Sequence, residues 1–158
     1  MRALCVKTME DDSLKILPPL YLVGMKIDCW KCYRRLPVVA VLAPNIEDTE
    51  GEVCILSDIV GLPKDVLGYI QKRVPTFKLK YSKTIGSKYY ANTCPNCGVI
   101  SGDFFLHSEP GAPFFPTDEE EAGLLYRTEI PIEGSILVQS GLHMGTGELI
   151  LNHAKKIA

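Results

Sequence analysis

Cys29-Trp30-Lys31-Cys32 and Cys94-Pro95-Asn96-Cys97 are the residues of this chain best suited to chemistry. Two residues between cysteines let both sulfurs face one side of a tight turn. Two such turns brought together supply four thiolates in a tetrahedron, an arrangement that Zn²⁺ takes readily. Pro95 stiffens the second turn, and Gly98 after it can take a positive φ that lets backbone N–H groups approach the sulfurs. Tyr33 stands at the corresponding place in the first turn. The expected ligands of a structural zinc ion are therefore Cys29, Cys32, Cys94 and Cys97. Redox dithiols and inert buried thiols are the other readings of the same residues. Lys31, Arg34 and Arg35 flank the first turn, either offsetting the charge of the thiolates or simply solvated.

Four cysteines close the coordination sphere, whereas catalytic zinc keeps a position for water. His107-Ser108-Glu109 has the H-x-E form used by zinc deaminases, but it follows the cysteines, and Thr93 rather than proline precedes Cys94. His107 reads instead as a polar residue at a strand end. His143 and His153 have no ligand spacing to the cysteines, and Cys5 and Cys54 read as small buried hydrophobes. Residues Gly141 to Gly147 lack a Walker lysine and do not fit G-x-G-x-x-G; they read as a turn before a helix, with Thr146 as its cap. No Ser-His-Asp or paired-carboxylate set can be assembled, so the expectation is a protein that is not an enzyme.

Bringing the cysteines together falls to the rest of the chain. Its 158 residues read as a single domain over 1–158. With 46% hydrophobic and 23% charged residues it is neither disordered nor collagen-like. A net charge of −2 argues against a protein built mainly to grip phosphate backbones. No run of about eighteen apolar residues is present, so no membrane helix is expected. Glu10, Asp11 and Asp12 arrive too soon for a signal-peptide core. The expected location is cytoplasmic, where paired cysteines read as metal ligands rather than disulfides.

Leu20 to Ile27 and Leu36 to Leu42 are short, β-branched and apolar, and predict two strands around the first cysteine turn. Ala43 to Gly51 reads as a loop and Glu52 to Leu56 as a short strand. Pro63 to Arg73 predicts a helix, with Val66, Leu67 and Ile70 at helical spacing. Phe77 to Tyr81 alternates apolar and basic residues, as a half-buried strand does. Val99 to Leu106 is a further strand candidate. Three prolines and a glycine keep Pro110 to Pro116 irregular. Thr117 with Glu120 fits a capping box. Leu124 to Ile132 and Ser135 to Gln139 read as a hairpin around Glu133-Gly134, and Gly147 to Ile157 as a C-terminal helix. The fold class expected is α+β: antiparallel strands carrying a zinc-ribbon-like four-cysteine site, a helical insertion between the two knuckles, and a C-terminal helix.

The C-P-x-C-G turn resembles the knuckles of zinc ribbons and of rubredoxin-like sites. Tyr89 to Pro116, with the earlier C-W-K-C turn, resembles a group of small bacterial zinc-ribbon-like proteins. The spacing between the pairs, residues 33 to 93, is wide for a simple finger. Two surfaces could bind macromolecules. Lys72, Arg73, Lys78, Lys80, Lys83 and Lys88 lie among aromatics, as in a nucleic-acid groove or on a guarded strand face. Phe104, Phe105, Phe114 and Phe115 could anchor a protein or cover the zinc turns. The expected function is non-catalytic binding of a protein partner, as in a bacterial immunity protein or inhibitor that neutralises a toxin. A basic partner would be steered by the chain's net negative charge. The alternative is a nucleic-acid-binding zinc ribbon in regulation or defence.

Overall fold

The computed structural model describes residues 13–157. Cys5 and the acidic start of the chain lie outside them. The strands and helices are β1 (Ser13–Ile16), β2 (Leu20–Asp28), β3 (Arg35–Ala43), β4 (Cys54–Gly61), α1 (Lys64–Arg73), β5 (Phe77–Ser82), β6 (Ser87–Thr93), β7 (Ile100–Ser101), α2 (Asp103–His107), α3 (Glu119–Ala122), β8 (Tyr126–Ile130), β9 (Ile136–His143), α4 (Gly147–His153) and β10 (Lys155–Lys156). A seven-stranded sheet runs in the order β1-β9-β4-β3-β2-β8-β10, and a three-stranded sheet in the order β5-β6-β7. All pairings are antiparallel except β10 with β8.

The chain is mixed α+β, mostly antiparallel strands with few helices. β3 is the middle strand of the large sheet, and its sequence is a near-continuous apolar run because both of its faces are covered. Val39 and Val41 join the core that holds Val66 and Ile70 of α1 and Phe77 of β5. Val38, Ala40 and Leu42 point the other way, into the core formed with Leu106, Phe114, Leu125 and Ile150. Gly147 opens α4 because a Cβ there would collide with the Val53 carbonyl.

β4 departs from the ladder after Ser57. It pairs with β3 only from Cys54 to Leu56, and its register against β9 shifts between Ser57 and Gly61. Asp58 takes φ 50, a left-handed conformation uncommon outside glycine. Continuing the Val41–Leu56 register would set Val39 opposite Asp58, so this bulge opens ladder groups on both strands. Two buried side chains fill them. Asn92 accepts from the Val39 N–H at 2.9 Å and donates to the Val39 carbonyl at 3.0 Å. The Asp103 carboxylate accepts from the Asp58 N–H at 2.7 Å. The small sheet and α2 are thereby fastened to the large one.

Several expectations need correction. Val99 to Leu106 is not one strand: after β7, Gly102 serves as an extended N-cap and α2 begins at Asp103. The expected hairpin does not exist. β8 lies beside β2, while β9 lies between β1 and β4, so the turn at Glu133-Gly134 joins strands on opposite sides of the sheet. The short strand begins at Cys54 and runs on to Gly61. The C-terminal helix ends at His153, because Lys155 and Ile157 donate to Leu125 and Arg127 as a short parallel strand. Asp118, not Thr117, caps α3, accepting from the Glu121 N–H. Thr146 takes the N-cap position of α4, as expected, but makes no side-chain cap bond. Between the knuckles α1 stands together with β3, β4, β5 and β6.

Candidate metal centre

The first knuckle follows β2 and the second follows β6, so the two sheets bring them together. Cys29 accepts the N–H groups of Lys31 and Cys32 at its sulfur, at 3.4 and 3.5 Å. Cys94 does the same for Asn96 and Cys97, at 3.4 and 3.5 Å. Tyr33 N–H donates to the Cys29 carbonyl and Gly98 N–H to the Cys94 carbonyl. Tyr33 has φ 66 and Gly98 φ 82, so the tyrosine adopts the glycine-like conformation and the two turns are near copies. Trp30 clasps them, its indole N–H donating to the Ile100 carbonyl at 2.8 Å.

The four sulfurs lie within 4.8 Å of one another. Cys29 and Cys97 are 3.6 Å apart, as are Cys32 and Cys94. A disulfide needs about 2.05 Å, so none joins them. A zinc–sulfur bond of about 2.3 Å gives a tetrahedral edge near 3.8 Å, which these spacings approach. Cys29, Cys32, Cys94 and Cys97 can thus hold one metal ion. The Cys32 N–H lowers the Cys29 thiol. The Arg34 backbone and then the Asn96 side chain bring Cys32 down to about 6. At Cys97 the Val99 N–H lowers the thiol, but burial and the neighbouring thiols push it up to about 11. The cluster therefore retains protons that an incoming cation displaces.

Family models, curated proteins and solved structures give no match.

What the chain shares with zinc ribbons is the pair of knuckles. Tyr33 supplies a test of their geometry. It is 78% exposed, so its ring packs little. A left-handed non-glycine residue is strained by roughly 1–2 kcal/mol, of which glycine's extra chain entropy cancels part. Tyr33→Gly should keep the metal and raise stability by up to about 1 kcal/mol in denaturant titrations; a loss would show that the ring matters to the turn.

His107 is not at a strand end. It lies in α2, buried, 4.0 Å from the Asp103 carboxylate and stacked obliquely on Phe114. Burial pushes Asp103 up to about 7, against the Asp58 N–H and with help from the Asp58 carboxylate. Burial, and then His143, brings His107 down to about 4. Tyr89 completes the cluster, its hydroxyl oxygen accepting the Asp103 N–H at 3.1 Å. At neutral pH His107 is uncharged, so this is no ion pair.

The two groups have opposite linkage. The native state holds the Asp103 proton more tightly than the unfolded value of 3.8 allows, so that stability is lost as pH rises toward about 7. His107 sits below its unfolded value of 6.5, so its contribution is present above that value and lost as pH falls toward about 4. The slopes oppose each other across the same window. His107→Gln should remove the opposing slope, so that its melting midpoint falls relative to the parent's as pH rises from about 4 to 6.5. A variant profile matching the parent's would refute the arrangement.

The basic set does not form one strip. Lys78 and Lys80 share a face of β5, while Lys88 stands opposite Tyr81 on the other face. Of the phenylalanines, Phe114 is buried, and Phe104 and Phe105 are 72% and 56% exposed. These two border a cleft of about 420 Å³ with Glu109, Pro110 and Pro113. Among the described residues no helix is long and apolar enough to cross a membrane. Cys54 is buried, with its thiol pushed up to about 11 by burial and then by Glu52.

Proposed function

We propose that the four cysteines bind one Zn²⁺ in a structural role and that the protein acts without catalysis, by binding a protein partner in the cytoplasm. The observation that carries this reading is the complete set of four protein sulfurs, which fills a tetrahedral zinc and keeps no position for water. Phe104 and Phe105 supply the partner-binding element. Large aromatics left in solvent beside a proline-braced cleft resemble the anchors that dominate protein interfaces. The small size and net charge of −2 suit an immunity protein or inhibitor that neutralises a toxin.

The test is affinity capture from source cells with the tagged chain and with a Phe104→Ala/Phe105→Ala variant. A partner retained by the parent and lost by the variant, with zinc and melting unchanged in both, supports the reading. The second reading is nucleic-acid binding, favoured by the lysines of the β5–β6 hairpin. Sub-micromolar binding of mixed DNA or RNA at physiological salt, weakened by Lys78→Ala, Lys80→Ala and Lys83→Ala together, would put it first.

A further inference from the structure

The β5–β6 hairpin is a locally cationic stretch of the chain. Between Val74 and Gly102 stand Lys78, Lys80, Lys83 and Lys88 and no aspartate or glutamate, in a chain of net charge −2. The hairpin also leaves apolar side chains in water, with Leu79, Tyr81 and Ile85 at 46%, 56% and 49% exposure. β5 pairs with β6 along one edge, and among the described residues no strand pairs with its other edge.

The direction of the backbone groups on that edge follows from the bonds around the start of β5. Thr76 accepts from Thr93, on the β6 side. Phe77 instead donates its N–H to the Val74 carbonyl and accepts from the Gln71 side chain, on the side away from β6. Successive residues of a strand alternate in this sense. Lys78 and Lys80 therefore turn their backbone groups toward β6, and Leu79 and Tyr81 present theirs outward.

We propose that the outer edge of β5 takes up an extended acidic segment of a protein partner by strand addition. This rests on the reading that the protein acts by binding a protein, and it names the kind of segment bound. The main-chain groups of Leu79 and Tyr81 form the ladder, and Lys78, Lys80 and Lys83 pair with carboxylates on the incoming strand. A second copy of this chain is a poor occupant. Antiparallel pairing of two β5 edges would bring lysines beside lysines, which is destabilising. A phosphate backbone is also poorly matched, because the lysines are divided between two faces of the hairpin.

The test uses the full chain, labelled for amide hydrogen exchange, and a blocked peptide of about ten alternating Glu and Val residues. Binding should slow exchange at the Leu79 and Tyr81 amides by at least about ten-fold. Lys78→Glu with Lys80→Glu should weaken it at least about ten-fold. The same peptide N-methylated at alternate residues keeps its charge but loses its donors, and should not bind. Four results would each overturn the proposal: no response to the Glu-Val peptide, equal binding of the N-methylated one, amides already protected in the free protein, or protection by oligo(dT) instead. A silent edge would leave the protein-partner reading standing on the Phe104→Ala/Phe105→Ala comparison, which does not involve β5.

Discussion

Purified protein should carry one zinc per chain, and Cys94→Ser should lose it and melt at least about 10 °C lower. Structural zinc sites bind with free energies comparable to the whole stability of a domain, and about 1 kcal/mol moves the midpoint of a chain this size by roughly 2–4 °C. The effect is large here because the cluster joins the end of β2 to the end of β6. Cys29 is 1% and Cys94 3% exposed, and both belong to the core that includes Leu36 and Val38. Strong chelation should reproduce the fall and expose apolar surface. A metal-free protein whose midpoint is unmoved by chelation would make the site peripheral, and a different bound metal would remove zinc from the reading while leaving the cluster.

The second large effect is expected at Asn92. Its side chain is 1% exposed and closes both ladder groups of Val39. Asn92→Ala would leave a buried donor and a buried acceptor unmet, at roughly 1–3 kcal/mol each. We expect a loss of about 3 kcal/mol in denaturant titrations, with zinc retained. Asn92→Asp separates the two bonds. Its carboxylate still accepts from Val39 N–H but offers nothing to the carbonyl, so the variant should be as unstable at neutral pH and recover when acid protonates it. A stable Asn92→Ala protein would mean that water or β4 replaces the side chain.

How readily these features are read from the sequence depends on the range over which they act. The cysteine clusters are readable because their chemistry is stated by residue type and spacing alone. β2, β3 and α1 are readable because an apolar run or a helical period records burial directly. Asn92 sits in an unremarkable stretch, Tyr-Tyr-Ala-Asn-Thr. Its role exists only because β4 bulges away from Val39, which stands 53 positions before Asn92 in the chain. Asp103 is hidden for the same reason. β8 and β9 show a good turn between good strands, and no local cue states that their partners lie on opposite sides of the sheet. The short helices α2 and α3 carry too few residues for a period and exist through tertiary packing. Tyr33 hides the symmetry of the knuckles, because its conformation is one that residue type argues against.

The separation of the knuckles has a consequence for how the protein is made. Cys32 and Cys94 touch across 62 positions of chain. At roughly 5–20 residues per second of synthesis, the first cysteine pair waits about 3–12 s for the second to leave the ribosome. During that interval it is a lone dithiol, open to oxidants and to partial metal capture. Nascent chains stalled before Cys94 should therefore be alkylated at Cys29 and Cys32 by a thiol reagent to which the finished protein is resistant.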